Sequence, residues 1–187
     1  MKDFAKLLQI WKTVFSVADI YQIFPHLNKF SLRNLISRMG KQWLLHNIRK
    51  GIRSLPHYNE YELANMLQKP SYISLETVLY KEGIVFQDYG HTIFSISMKT
   101  HDYAIQWKIY SYKTITSKIA LDPLGINHQQ GYAIASAERA LCDRLYLTPN
   151  YYFDNLRSIN RDKVEEIASI YNNKRLLLEI KKLRNGT

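Results

Sequence analysis

The segment from Tyr132 to Leu147 constrains the fold most, because two kinds of local structure meet within it. Residues 132–135 are mostly apolar, which predicts the end of a buried strand. Ser136 then occupies the position of a helix N-cap, and Glu138 lies in the first turn, where the helix dipole stabilises negative charge. The segment therefore predicts a strand that leads directly into a core helix.

Helical spacing divides the side chains of this predicted helix into two groups. The inward face is predicted to hold Ala137, Ala140, Leu141, Leu145 and Leu147. Arg139, Asp143 and Arg144 are expected to point away from that face. Cys142 is expected to be a buried structural thiol, and a single cysteine cannot form an internal disulfide, which suits a reducing cytoplasm.

The charge of the chain is concentrated at its N-terminal end. Residues 1–55 carry six Lys and four Arg against Asp3 and Asp19, a net charge of 10 − 2 = +8, and the rest of the +10 total, +2, is spread over residues 56–187. The N-terminus does not look like a signal peptide, and no apolar run approaches the length of a membrane span. We expect a soluble, cytoplasmic protein with a basic head of the kind that binds nucleic acid.

The first 56 residues predict a winged helix-turn-helix domain. Helices are expected at about 3–12, at 17–24 behind a capping box formed by Ser16 and Asp19, and at 31–39, where Gly40 supplies the left-handed residue at the helix end. Two short extended runs on either side of residues 49–51 then predict a β-hairpin, the wing. Phe4, Leu7, Leu8 and Trp11 are expected on the buried face of the first helix.

The third predicted helix gives a DNA-binding hypothesis. If Leu32, Leu35, Ile36 and Met39 face the core, its remaining side chains face outward, and they combine phosphate binders with groups that can read base edges. The hairpin tip adds further cations, and residues 29–53 contain no acid. The predicted DNA-binding residues are Lys29, Ser31, Arg33, Asn34, Ser37, Arg38, Lys41, Arg49, Lys50 and Arg53.

Residues 57–187 predict a second, α+β domain. Ser74 is expected to cap a helix that carries Glu76 in its first turn. Alternating patterns predict one strand over 93–98, a second over 103–110 and a third extended run over 115–121, with a hairpin at 99–102. These strands should form a small, mostly antiparallel sheet that is covered by the helices after Ser74 and Ser136, and two more helices are expected beyond Pro149.

The residues give no pattern for catalysis. The six histidines are scattered, so no metal site is predicted, and phosphate-binding glycine loops and nucleophile elbows are absent from the sequence. Gln106-x-Lys108 is similar to the end of a restriction-nuclease motif, but Gln106 is neutral where Mg²⁺ needs a carboxylate. We therefore expect neither an enzyme nor a bound cofactor.

Two segments resemble a known family. The sequence I-A-S-A-E-R-A-L-C-D-R-L-Y-L, residues 134–147, and the sequence P-S-Y-I-S-L-E-T-V-L-Y-K-E-G-I, residues 70–84, are similar to signature segments of the AbiEi family. AbiEi proteins are the antitoxins of AbiE-type abortive-infection (type IV) toxin–antitoxin systems. Ala137 stands where the family usually has proline. The resemblance marks Ser74, Glu76, Ser136, Glu138 and Asp143 as signature residues with a structural or antitoxic role.

The resemblance implies an autorepressor that binds operator DNA through a winged helix and counteracts a nucleotidyltransferase-like toxin through its second domain. Because repressors often bind inverted repeats as pairs, we also expect a homodimer on DNA, although no dimer-forming stripe stands out in the sequence. The charge pattern alone leaves an alternative open. The chain could be a stand-alone DNA-binding transcriptional regulator whose second domain senses a ligand or dimerises. Electrostatic stabilisation of helix starts also explains Glu76 and Glu138 without any special role.

Overall fold

The computed structural model describes residues 2–185, and the side chains of residues 3–183 within that range. The fold is α+β, and the chain divides into two compact units, Met1–Leu67 and Gln68–Thr187. The first unit contains α1 (Lys2–Leu8), β1 (Val14–Ser16), α2 (Val17–Ile23), α3 (Lys29–Lys41), β2 (His46–Arg49), β3 (Ile52–Ser54) and α4 (Glu60–Leu67).

The core of the first unit forms where the three leading helices bury their apolar sides. The buried side chains include Leu7, Phe15, Ile20, Phe24, Leu32, Leu35, Ile36, Met39 and Leu45. On α1 only Leu7 of the predicted face is fully buried. The helix ends at Leu8, and Trp11 is 81% exposed because it lies beyond the last helical turn.

Local capping signals place the next two helices. The predicted capping box is present, since the Ser16 hydroxyl accepts from the amide of Asp19 and the Asp19 carboxylate accepts from the amide of Ser16. The third helix is longer than predicted and continues through Gly40 to Lys41. The left-handed residue beyond it is Trp43, with φ 57°, so the prediction that Gly40 ends the helix was wrong.

The predicted hairpin is present, and it belongs to a three-stranded antiparallel sheet of order β1-β3-β2. Gly51, with φ 85°, lies in the turn between β2 and β3. β1 was not predicted. Val14 and Phe15 are fully buried, and three residues are too few to show an alternating pattern.

The first compact unit extends to Leu67 and includes α4, whereas the predicted domain boundary is Pro56. The reason is the buried carboxylate of Glu62 on α4. Its Oε2 accepts hydrogen bonds from the Thr13 amide at 2.7 Å, the Thr13 hydroxyl at 2.9 Å and the Val14 amide at 3.0 Å. These bonds join α4 to the start of β1 in the first unit.

The second unit is built on a six-stranded sheet of order β6-β7-β5-β4-β9-β8. Three neighbouring pairs are antiparallel, as predicted, but β4 with β9 and β5 with β7 are parallel, so the sheet is mixed. The two parallel pairs were not predicted. The elements of the second unit are β4 (Ser71–Ile73), α5 (Glu76–Lys81), β5 (Thr92–Ser97), β6 (His101–Ile105), β7 (Lys108–Thr114), α6 (Ser117–Ala120), β8 (Ile126–Gln129), β9 (Tyr132–Ala135), α7 (Ala137–Leu147), α8 (Arg161–Ser169) and α9 (Lys174–Asn185).

The predicted strand over 103–110 is in fact a hairpin. Gln106 has φ 55°, a conformation that two-residue hairpin turns require, and Ile105 pairs with Lys108 across the turn. β5 consequently pairs with β7 in parallel instead of forming the predicted hairpin with β6. The run expected as a strand over 115–121 contains the short helix α6.

The predicted strand, cap and helix of residues 132–147 are present. β9 covers Tyr132–Ala135, Ser136 caps α7 by accepting from the Arg139 amide at 3.2 Å, and Glu138 lies in the first turn. Gly125, with φ 75°, precedes this region. A Cβ at Gly125 would lie 2.9 Å from both Arg139 Cβ and Ile167 Cδ1, so only glycine fits there.

Candidate nucleic-acid interface

α3 has one buried side and one exposed side, which matches its predicted division. Leu32, Leu35, Ile36 and Met39 are buried, at positions i, i+3, i+4 and i+7. The other side is open to solvent. The exposed predicted DNA-binding residues of α3 are Lys29, Arg33, Asn34, Ser37, Arg38 and Lys41.

The start of α3 is fixed by its own cap. Asn28 has extended backbone angles, and its side-chain oxygen accepts from the Ser31 amide at 2.8 Å. Ser31 is half-buried and lies in the first turn. The cap holds the amino-terminal end of the helix, with Lys29 exposed, in a defined direction.

Arg38 is the one cation of α3 for which the described residues show an ion pair. Its Nη2 lies 3.3 Å from Asp3 Oδ2, and the side chains are 63% and 44% exposed. An exposed pair of this kind contributes about 0–1 kcal/mol, so Arg38 can exchange Asp3 for another anion at little cost.

The β2–β3 hairpin carries three of the predicted DNA-binding residues, two exposed and one half-buried. Arg49 and Lys50 are exposed at the turn. Arg53 is half-buried, and its Nη1 donates to the Arg49 carbonyl at 3.2 Å, the Ile52 carbonyl at 3.1 Å and the Asn47 side-chain oxygen at 2.5 Å. Arg53 therefore braces the strands of the hairpin, and Arg49 and Lys50 form its exposed basic tip.

These side chains can serve two chemical purposes. Arg and Lys bind phosphate oxygens, while Arg and Asn can also make paired hydrogen bonds to guanine and adenine edges. Arg33 and Asn34 lie in the first half of α3, the half of a recognition helix that usually reaches base edges. The exposed side of α3 thus carries both types of group on one rigid element.

The signature residues of the second unit lie elsewhere, and two of them meet inside the protein. Ser74, between β4 and α5, donates its hydroxyl to Asp143 Oδ2 at 2.7 Å, although it is 69 residues away in sequence. Ser74 was predicted to cap α5. It does not, because its hydroxyl is engaged with Asp143, and Leu75 occupies the cap position.

Asp143 is fully buried at the centre of a hydrogen-bond network. Besides Ser74, it accepts from the Tyr171 hydroxyl at 2.6 Å and from the Tyr72 hydroxyl at 3.1 Å, and its Oδ1 lies 3.5 Å from Arg139 Nε. Arg139 is also 0% exposed. The prediction that Arg139 and Asp143 face outward was wrong, since α7 is covered on this side too.

The two terminal nitrogens of Arg139 have hydrogen-bond partners, whereas its Nε has the ion pair with Asp143 and no hydrogen bond. Nη1 donates to the Leu124 carbonyl at 2.8 Å, and Nη2 donates to the Ile119 carbonyl at 2.7 Å and the Tyr72 hydroxyl at 3.1 Å. Arg139 thereby ties α7 to the end of α6 and to the turn before β8.

The electrostatics of this network follow from its burial. Loss of solvent raises the pKa of Asp143, while Arg139 and the three hydroxyl donors act in the opposite direction. Burial and the nearby Asp143 carboxyl raise the pKa values of Tyr72 and Tyr171, which therefore stay protonated as donors. Burial also raises the pKa of the Cys142 thiol, which fits the prediction of a structural cysteine.

The other signature residues support local structure. The buried carboxylate of Glu76 lies 3.0 Å from Arg144 Nε, and burial together with Glu76 raises the pKa of Tyr151 to about 12. Glu138 Oε1 accepts from the Asn160 amide at 3.3 Å. Each of these contacts joins α7 or α5 to a neighbouring segment.

The described side chains, those of residues 3–183, include no group of three or more His, Cys, Asp or Glu placed to hold a metal ion. Within residues 2–185, no helix is long and apolar enough to cross a membrane. Gln106 lies in a turn and Lys108 at the start of β7, so the nuclease-like spacing does not lie along one strand.

No protein-family model matches the sequence, and no curated protein matches it significantly. The resemblance of residues 70–84 and 134–147 to AbiEi antitoxins remains a prediction.

Sequence reasoning missed three members of the buried network: Arg139, Tyr72 and Tyr171. One signal was available, since Arg139 and Asp143 are four residues apart on a helix, the spacing of an ion pair. That spacing is usual on exposed helix faces. It therefore gave no indication that both side chains are buried.

Proposed function

We propose that the first unit is a winged helix-turn-helix domain that binds double-stranded DNA, with α3 as the recognition helix and the β2–β3 hairpin as the wing. In support, α2 and α3 follow one another across a short connection, and the β2–β3 hairpin, to which β1 pairs, comes directly after α3. The observation that carries the proposal is the exposed side of α3, which presents Arg33, Asn34, Ser37, Arg38 and Lys41.

The charge distribution supports the same proposal. Seven basic residues and no acid lie between Lys29 and Arg53, and phosphate contacts supply most of the affinity of non-specific DNA binding. The target is operator DNA upstream of the protein's own coding region. A dimer on inverted repeats would place two copies of α3 in successive major grooves.

For the whole chain we propose an antitoxin of the AbiE type, which represses its own operon and counteracts a nucleotidyltransferase-like toxin through the second unit. The support is the resemblance of the two segments, together with the way they pack. Ser74 from one segment and Asp143 from the other are hydrogen-bonded at 2.7 Å, so both segments belong to one buried structure.

The test separates DNA binding from antitoxicity. Arg33→Ala combined with Arg38→Ala should weaken binding to the promoter duplex and raise expression of a promoter fusion, while growth of cells that express the toxin should still be rescued. A matched control, Lys118→Ala with Lys163→Ala, removes two exposed cations of the second unit and should leave promoter binding unchanged.

Two results would contradict parts of this proposal. If the Arg33/Arg38 variant lost repression and rescue together while remaining folded, the two units would not divide the work as proposed. If no neighbouring reading frame stopped growth when expressed alone, the stand-alone transcriptional regulator would be the better assignment.

A further inference from the structure

Phe30 is a large apolar side chain on the exposed side of α3. It is the second residue of the helix and is 73% exposed. A single exposed apolar side chain is ordinary on a protein surface. What distinguishes Phe30 is its position, because Phe30, Arg33, Asn34 and Ser37 stand at i, i+3, i+4 and i+7 and so share one face of the helix.

This stripe lies opposite the buried one. Leu32, Leu35, Ile36 and Met39 repeat the same spacing two residues later and face the core of the unit. A rotation of α3 that buried Phe30 would therefore also bury Arg33, Asn34 and Ser37, which share its face of the helix. Its ring is held out beside two side chains that can read base edges, in the segment 29–53, which contains seven basic residues and no acid.

The major groove of DNA offers one apolar feature for such a ring. Thymine carries a C5-methyl group there, which apolar side chains contact, whereas the other base edges present mainly donors and acceptors. Phosphates on both sides of the groove attract the cations around Phe30, and the first turn of a recognition helix is the part that usually reaches the bases.

We propose that Phe30 is a specificity-determining residue that recognises thymine by packing its ring against the C5-methyl group in the major groove. The inference rests on the proposed function of α3 as a recognition helix. It adds that the preferred site contains a T·A pair under the first turn of α3, beside the pairs read by Arg33 and Asn34.

The test uses the full chain and a duplex selected from a random pool for tight binding. Each thymine of that duplex is replaced in turn by deoxyuridine, which lacks only the methyl group. At one or two positions the protein should lose about fourfold in affinity, the fold-change that corresponds to about 0.8 kcal/mol for one methyl-sized apolar group.

Phe30→Ala should bind thymine and deoxyuridine duplexes equally at those positions. Because the Phe30 side chain is largely exposed, the variant should keep the circular dichroism spectrum of the parent. Trp11→Ala is the matched control. It removes another exposed aromatic side chain of the same unit, outside α3, and should keep the sensitivity to deoxyuridine.

Each outcome separates the inference from the proposed function. A chain that selects no duplex and binds none at low salt would contradict DNA binding itself. A selected site at which deoxyuridine has no effect, or has the same effect on Phe30→Ala, would overturn the role of Phe30 and leave DNA binding intact. A dimer that becomes a monomer on Phe30→Ala in sedimentation, with unchanged thymine preference, would assign the ring to contacts between two copies.

Discussion

Replacing Asp143 by asparagine should destabilise the second unit severely. The side chain keeps its size, and one oxygen can still accept from the hydroxyls of Tyr72, Ser74 and Tyr171. The negative charge is lost, however, and the guanidinium of Arg139, also 0% exposed, is left in the interior without its anion.

The expected magnitude follows from that burial. Removing one partner of a buried ion pair costs about 3–5 kcal/mol, because the remaining charge keeps its desolvation penalty and loses its compensation. For a unit of this size each kcal/mol lowers the midpoint of thermal unfolding by roughly 3–5 °C, so a decrease of roughly 10–20 °C is expected.

A double-mutant cycle identifies the cause of the loss. Arg139→Met alone leaves the buried carboxylate of Asp143 without its cation, and it removes the donor to the carbonyls of Leu124 and Ile119. Each single change leaves one buried charge alone, whereas the double variant leaves none. The double variant should therefore be less destabilised than the sum of the single changes, by at least about 1 kcal/mol.

Hydrogen exchange of the α7 amides, measured alongside urea unfolding of the full chain, is the appropriate assay. A chain with two units need not unfold in one step, and exchange reports the second unit specifically. Asp162→Asn, an exposed carboxylate on α8, is the control and should cost less than about 1 kcal/mol. An Asp143→Asn variant as stable as this control would refute the reasoning.

Three further predictions concern single side chains. Asp3→Asn removes the acid that pairs with Arg38. The affinity of the protein for a DNA duplex at low salt, measured by fluorescence anisotropy, should then rise by about two- to fivefold. An unchanged or lower affinity would contradict the assignment of the exposed side of α3 to DNA binding. Burial acts to raise the pKa of Asp19, but the hydrogen bonds from Ser16 and the nearby Lys12 hold that pKa below its ordinary value of 3.8. The charged Asp19 therefore stabilises the folded state fully above pH 3.8, and this stabilisation is lost as the pH falls through the lower folded pKa. Asp19→Asn should accordingly reduce the acid sensitivity of the first unit in a pH titration of unfolding. Cys142, whose raised pKa follows from burial, should react with a thiol reagent only as fast as the second unit opens, and rapid labelling of the native protein would show that the thiol is accessible.

The parts of the fold that the sequence predicted correctly depend on local signals. The strand before Ser136, the cap at Ser136 and the capping box at Ser16 each involve residues within four positions of one another. The buried side of α3 was likewise visible, since helical spacing alone separates its apolar residues from its polar ones. Such features are decided by neighbouring residues, and a sequence displays them directly.

The errors arose where distant segments decide the outcome. Nothing near Gln106 marks it as a turn residue, because its positive φ is imposed by the pairing of β6 with β7, and β5 then pairs in parallel with β7. Similarly, Glu62 belongs to the first unit through bonds to residues almost fifty positions earlier.

Within the candidate sites, too, features set by neighbouring residues were predicted and features set by distant segments were not. The exposed cations of α3 were predicted from the helix alone, and the structure places them on its exposed side. The Arg139–Asp143 network could not be predicted, because it depends on Tyr72 and Tyr171, which reach it from β4 and from beyond α8. For Arg53 the sequence predicted a basic residue in the hairpin, but it did not predict the hydrogen bonds of Arg53 to the Arg49 and Ile52 carbonyls.

The central claim is that the exposed side of α3 binds the DNA backbone, and the salt dependence of binding tests it most directly. Each phosphate contact that is lost reduces the slope of log K against log salt concentration by about 0.9. We expect Arg38→Gln with Lys41→Gln to lower the magnitude of this slope by about 1.8 for a fixed duplex, whereas Lys118→Gln with Lys163→Gln should leave it unchanged. Equal slopes for the parent and the α3 variant, or an equal loss in both variants, would contradict the claim.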